Sequence, residues 1–506
     1  MVRQLPEARS VDEPSSQRVL EVGEGPGRDY YLLAVGLFGV LAVWIRPLAS
    51  SLWLDETGTF WVIRGSLSDV IHRALDFQGQ FPVYHVFLWG WSKLVGTSEV
   101  ALRLPSLFGA LLATWLCYRL ALRLFGDVTV ARLAACIFVL LQPVAFAAAD
   151  ARPYALALAT LLGATVTLVR WQESEKLRDG ILYVGLTALT LYLHYLFALA
   201  LIPHALLAYR QVRREGRRGA VAVAGATGAL ALLLVPTIPH FIDVFGRRGA
   251  MSLFTFGSTL ELLAWVAPPM IVVSYLVGSL VNLPDEAPAP RRREVPRNLL
   301  LFLGLWLVLP PLMLYVAGRV SGIGLFAERH FLSSVPALAL LAASAFARLS
   351  IRQQRIGLAI LAMLFVLSYS NPPTHGLSDW QSADQAANAL SEGPQTPVFV
   401  YSGFSESSQM GWILDKERSQ LFLAPLAAYP VEGRAYPLPL ALTDRAKAYV
   451  EGILVSEAPG SDRIILITTE LTLTYDVWLT ERTSLLGYAR RDVGEFGNVR
   501  VLVFER

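Results

Sequence analysis

The sequence predicts a polytopic α-helical membrane protein of about eleven spans that ends in a small α/β domain. Three observations carry this. Of 506 residues, 54% are hydrophobic and only 16% charged, with a mean hydropathy of +0.48, too apolar for a water-soluble chain of that length. The basic residues gather in a few short clusters between apolar runs, a pattern that records topology. From Asn371 onward the composition turns to that of a soluble domain.

Residues 1–28 are polar and rich in proline and glycine, with no cleavable signal pattern, and read as a disordered cytoplasmic tail. The spans then follow at Tyr30–Ser50, Leu104–Leu124, Val128–Ala147, Pro153–Val169, Ile181–Leu193, Leu196–Tyr209, Ala220–Ile238, Thr259–Asn282, Asn298–Ala317, Phe331–Ala347 and Ile356–Ser370. His194 with Tyr195 marks the break that makes two crossings of the run from Ile181 to Tyr209. Arginines at 210, 213, 214, 217 and 218, at 291–293 and 297, and at 348, 352 and 355 are expected on the cytoplasmic side. All these clusters agree if FPVYHVFLWGWSKLV, residues 81–95, lies along the outer surface instead of crossing. Residues 51–101 are then an outer loop with surface helices, 29–370 the membrane domain, and 371–506 an extracytoplasmic domain. The N-terminus is inside and the localisation is a bacterial cell membrane, the arginine-rich, lysine-poor composition pointing to a high-GC bacterium. Pro268–Pro269 and Pro310–Pro311 fall within spans and predict kinks.

In the last domain PVFVY (397–401), RIILIT (463–468) and VRVLVF (499–504) read as buried strands. Helical stretches at 378–391, 406–416, 443–456 and 473–482 alternate with them, which gives a small α/β layer. It carries no glycine-rich phosphate loop and no evident triad. The net charge of +3 marks no nucleic-acid surface, and Cys117 and Cys136 lie inside apolar segments, away from any zinc-like spacing.

Function is sought in the ionisable residues at the outer ends of the spans, because such groups are costly there unless they are used. SLWLDETGTF, residues 51–60, places Asp55 and Glu56 side by side after the first span. The plain reading is a solvated loop in which Asp55 or Thr57 caps a short helix. Against it stand three further clusters on the same face: Asp150-Ala151-Arg152-Pro153-Tyr154, Glu328-Arg329-His330, and His194 with Tyr195. Any one of these can be a helix-end charge reaching for water. Together they outline a polar pocket.

LDETGTFW, then FPVYHVFLWGWSKLVGTSEVALRLPSLFG, QPVAFAAADARPYALAL, LYLHYLFALAL, ERHFLSSVPALALL and DWQSADQAANAL stand in an order that resembles the bacterial protein O-mannosyltransferase and aminoarabinose-transferase branch of the GT-C superfamily (glycosyltransferase family 39-like). The resemblance runs from about Leu52 to Leu390. It implies an inverting transfer of a sugar from a polyprenyl-phosphate carrier to a protein, lipid or glycan acceptor at the outer face, with Asp55 as catalytic base beside Glu56. A leaving phosphate needs positive charge more than a strong acid. Arg329 matches the basic residue that the family carries near the tenth span, and Arg152 extends the same role. Asp150 would orient an arginine or touch the acceptor, and Tyr154, Tyr84, His85, His194, Tyr195, Glu328 and His330 would line the pocket.

The chain departs from its relatives at Gln78-Gly79-Gln80-Phe81-Pro82, where they commonly carry a histidine or acidic residue before two prolines. No cofactor is expected, and catalysis is expected to be metal-independent, a divalent ion finding no support in these residues. Two other readings compete: a secondary transporter or flippase for an anionic lipid-linked substrate, and a scaffold whose outer domain binds a wall component. Transporter sites belong at the midplane, and eleven spans exceed what an anchor needs.

Overall fold

The structure is a computed structural model that describes residues 27–247, 257–281, 294–322, 324, 326–369, 375–469 and 474–506. The reading of the first residues as a tail, and the Arg291–Arg293 cluster, lie outside these.

The chain enters through α1 (Gly27–Gly39), which continues through a π-helical turn and a 3-10 turn to Ala49. Three short helices follow, α2 (Leu54–Ile63), α3 (Leu67–Phe77) and α4 (Val83–Val95). None meets the length and hydropathy of a span. The bundle proper consists of α5 (Glu99–Phe125), α6 (Val128–Val139), α7 (Gln142–Ala148), α8 (Tyr154–Ser174), α9 (Leu177–Leu193), α10 (Ile202–Glu215), α11 (Arg217–Leu234), α12 (Ile238–Gly246), α13 (Thr259–Val266), α14 (Pro269–Leu280), α15 (Arg297–Ser321), α16 (Val335–Phe346) and α17 (Ile351–Ser368).

Seven helices among the described residues are long and apolar enough to cross a membrane, nine if each of two bent pairs counts as one span. The two bent pairs are α6 with α7, turned by 66°, and α13 with α14, turned by 49°. Proline explains both bends: Pro143 opens α7 and Pro268–Pro269 opens α14, where the missing N–H interrupts the ladder. The remaining two of the eleven predicted spans fall on shorter helices, α9 and the run Leu332–Phe346. The predicted break at His194 is present, as the extended residue that ends α9 before a 3-10 turn over Tyr195–Leu201. Pro310 and Pro311, by contrast, sit inside α15, which runs on as a single helix through them. Exposed large apolar residues stud the bundle, Leu232, Leu260, Leu280 and Val320 among them, as a lipid-facing surface requires. A continuous core of alanine, leucine and aromatic side chains joins α5, α6, α8 and α16.

The last domain is a five-stranded mixed sheet in the order β2-β1-β3-β5-β4, from β1 (Pro397–Tyr401), β2 (Arg434–Pro437), β3 (Arg463–Thr468), β4 (Ala489–Phe496) and β5 (Val499–Glu505). β1 is parallel to β2 and β3, whereas β5 is antiparallel to β3 and β4. The three apolar runs are the three central strands. Helix α18 (Trp380–Asn388) covers one face together with apolar residues of residues 423–431, and the helices Asp444–Glu457 and Thr474–Ser484 cover the other. The helix predicted over 406–416 is instead a 3-10 turn at Ser405–Ser408 and a short helix at Met410–Leu414.

This domain is bound to the N-terminal segment of α2. Gln381 N–H and His375 N–H donate to the hydroxyls of Ser51 and Ser50 at 3.1 and 2.9 Å, and Leu52 N–H donates to the Tyr429 hydroxyl at 2.8 Å. Trp61 and Val62 of α2 pack with Trp412, Leu421 and Phe422.

Candidate active site

The first turn of α2 divides the two adjacent carboxylates. Trp53 is the N-cap, and its N–H donates to Glu56 Oε2 at 3.1 Å, a one-sided cap that rolls Glu56 back toward the helix start. Glu56 is fully buried and faces Arg103 of α5, also fully buried, across bonds of 2.8 Å from Nε and 2.5 Å from Nη2. Ala151 N–H gives it a fourth donor at 2.7 Å. Burial, the largest influence, pushes the Glu56 carboxyl upward, but the Arg103 guanidinium, together with His375 and the Ala151 N–H, holds it below the usual glutamate range. Glu56 is thus placed in a buried ion pair with Arg103, its carboxylate oxygens taking four donors.

Asp55 points the other way. Its side chain is 23% exposed and lies 3.6 Å from Nη1 of Arg329, itself 28% exposed. Arg152 approaches from behind. Its Nη1 donates to Thr59 Oγ1 at 3.1 Å and to Gln78 Oε1 at 3.2 Å, with the Asp55 carbonyl at 3.5 Å, and its Nη2 reaches Gln80 Oε1 at 3.4 Å. All these acceptors are neutral, and Nε has no partner among the described residues. A buried guanidinium so held keeps its charge for the surrounding field. Gln78 and Gln80 are therefore residues that grip Arg152.

Arg329 and Tyr154 line a cavity of about 160 Å³ together with Pro143, Phe146 and Glu328. A larger one of about 320 Å³ shares Pro143 and Glu328 with it and is walled by apolar side chains such as Leu140, Trp265, Phe331 and Leu338. The rings of His194 and Tyr154 lie 5.2 Å apart, and His330 is 6.4 Å from His194, so these three gather on the Arg329 side. Tyr84 and His85 are buried in α4 behind Arg152; burial and the Arg152 charge push the His85 imidazole down to about 3, leaving it neutral. Tyr195 lies apart, its hydroxyl bonded to His240 at 2.7 Å.

Asp150 is fully buried: it accepts from Trp53 Nε1 at 3.1 Å and lies 3.4 Å from His375 Nε2. Burial raises its carboxyl, against the opposing pull of His375. Glu56, Asp150 and His375 offer ligand atoms within 4.8 Å of one another, close enough to share a cation. The donor set fits poorly, because Glu56 has no free lone pair and Arg103 already supplies the positive charge.

Sequence reasoning missed Arg103, His375, Thr59 and Glu406. The last is carried by the soluble domain, where Phe404 packs on α2 at Gly58. Burial raises its carboxyl, and the charge of Asp55 acts in the same direction. An arginine early in an apolar helix was a legible signal for Arg103. His375 stands in no motif.

Residues 80–242 match the family model described as dolichyl-phosphate-mannose-protein mannosyltransferase. Among solved structures the chain is similar to ArnT from Cupriavidus metallidurans in the apo state, with a TM-score of 0.55 at 11% identity over 94% of this chain and 98% of that one. It is similar to the same protein bound to undecaprenyl phosphate, with a TM-score of 0.54 at 13% identity over the same shares. No curated protein matches the sequence. At these identities the likeness is one of fold, and it extends over nearly the whole of both chains.

Proposed function

We propose that this member of the GT-C superfamily transfers a sugar from a polyprenyl-phosphate carrier to an acceptor, with Asp55 as general base and Arg329 as the principal ligand of the donor phosphate. The observation that carries the reading is the 3.6 Å pair of Asp55 and Arg329, the arginine lining, with Glu328 and Tyr154, an otherwise apolar cavity that borders a larger apolar one. A lipid phosphate needs that combination: a cation for its head group and a groove for its chain. The undecaprenyl phosphate held by the ArnT structure is a ligand of this class.

In the proposed step the acceptor's hydroxyl gives its proton to Asp55 as its oxygen attacks the anomeric carbon in line. The bond from that carbon to the phosphate oxygen breaks, and the electron pair leaves with the polyprenyl phosphate. Displacement in one step inverts the anomeric centre. Arg329 pairs with the growing charge on the phosphate, and Arg152, fixed by Gln78, Gln80 and Thr59, adds its field from the protein side. Positive-inside topology for the arginines at 210–218 supports a site at the extracytoplasmic face. A transporter reading is less well supported, because the ionisable groups gather around short helices that do not reach the length of a span.

The test is transfer of radiolabelled sugar from a panel of polyprenyl-phosphate sugars by the protein in nanodiscs, with wild type beside Asp55→Asn. Turnover in the wild type only supports the assignment, and the productive donor names the sugar. Equal turnover in both removes Asp55 as the base.

A further inference from the structure

Asp150 and Glu56 lie together in the protein interior, yet only one of them has a guanidinium of its own. Arg103 satisfies Glu56. The side chain of Arg152 is turned toward Gln78, Gln80 and Thr59, and no arginine or lysine among the described residues bonds the Asp150 carboxylate, whose Oδ2 is buried without a partner. The titratable group that does reach it is His375, 3.4 Å from Oδ1 and 3% exposed. Glu56, Arg103, Arg152 and Arg329 are the other charges that this pair feels.

His375 lies at the entrance to the soluble domain, five residues before α18, and it is built into the catalytic loop from three sides. Its ring packs on Phe146 with centroids 4.3 Å apart and meets Trp53 edge-on at 6.1 Å, while its N–H holds the Ser50 hydroxyl. The neighbouring Gly376 has φ +74°, and a Cβ there would stand 2.7 Å from the Cβ of Trp53, so backbone and indole touch directly. Trp53 bonds Asp150 through its ring and caps α2 through its backbone, two residues before Asp55.

We propose that His375 is a positioning residue for Asp55: acting through Asp150 and Trp53, it makes the aim of the catalytic carboxylate depend on the seated soluble domain. The inference rests on the proposed role of Asp55. Without the imidazole, a buried carboxylate loses its counterpart, Trp53 loses a fixed partner, and the first turn of α2 is free to shift. A misplacement of about 1 Å costs on the order of a hundredfold in rate.

The experiment compares wild type, His375→Ala, His375→Gln and the double variant His375→Ala with Asp150→Asn, all as full chains in nanodiscs, by sugar transfer and by hydrogen exchange of the peptides over residues 51–57. His375→Ala is expected to lower kcat on the order of a hundredfold with donor KM within about twofold, and to speed exchange at 51–57 while the bundle helices stay protected. His375→Gln, which keeps a donor, and the double variant, which removes the stranded charge, are both expected to recover most of the loss. Unchanged exchange at 51–57 in His375→Ala overturns the proposal, and so does a double variant no better than the single one. If the wild type transfers no sugar, the proposed reaction fails, while the exchange data still decide the coupling.

Discussion

Arg103 and Glu56 close a two-point clamp inside the protein, and the same guanidinium donates to the carbonyls of Pro47, Leu48, Ser50 and Ser51. One side chain on α5 thus ties down the whole approach to α2. Breaking a buried pair by removing one partner costs about 3–5 kcal/mol. Arg103→Leu is expected to lower the thermal stability of the detergent-solubilised protein by that order, and Arg103→Lys to recover little of it, since an ammonium cannot reproduce the fork. Differential scanning fluorimetry checks both.

The same pair sets a pH dependence. The folded carboxyl of Glu56 titrates below its unfolded value, so its stabilisation is complete above the ordinary glutamate range and is lost as pH falls through the lowered folded value. Asp150, whose carboxyl is raised, acts in the opposite sense and loses stability as pH rises through its folded value. Glu56→Gln is expected to flatten the acid limb of a plot of Tm against pH, and Asp150→Asn to remove a decline on the less acid side. Melting curves from pH 3 to 7 test the two signs.

Asp55 and Glu56 are adjacent in sequence and opposite in exposure. Asp55→Asn is expected to lower kcat by about 10²- to 10⁴-fold, the usual worth of a general base. Donor KM should hold or fall, because Arg329 loses a competing partner. Steady-state transfer at several donor concentrations separates the two effects.

Arg329 and Arg152 should respond differently to change. A hydrogen bond to a charged group is worth about 1.5–3 kcal/mol, so Arg329→Ala is expected to raise donor KM by roughly ten- to a hundredfold. Gln78→Leu with Gln80→Leu strips Arg152 of two acceptors and is expected to lower kcat more than it raises KM.

Metal-independent transfer is the expectation, with arginines in the positions of charge. Transfer is expected to continue after dialysis against a chelator. Loss of activity that a divalent ion restores would overturn this and point to the Glu56, Asp150 and His375 cluster as the place where the ion binds.

Apolar length was enough to place a helix at each of the eleven expected positions, because lipid imposes a local and additive rule. One bend was expected, from Pro268–Pro269; the bend at Pro143 went unread, and Pro310 and Pro311 did not interrupt α15. In the soluble domain the three buried strands declared themselves by their apolar runs. β2 and β4 did not, being a four-residue strand and a charged one. At the site, sequence adjacency grouped Asp55 with Glu56, and the helical turn sent them to different environments. Arg103 lies 47 residues from Glu56, and His375 lies well over two hundred from Asp150. Such meetings are products of tertiary packing, which no local pattern encodes.

The sheet of the soluble domain has a bearing on crowding at the membrane surface. Its two outermost strands are poor templates for a stranger's backbone. β2 is four residues long and ends in Pro437, which has no N–H to offer. β4 slips register between Asp492 and Gly494 and displays Arg490, Arg491, Asp492 and Glu495. Charge, brevity and a kinked edge are the devices that stop one sheet from extending into the next. Neighbouring copies, held in one plane at high local density, can therefore collide without zipping together.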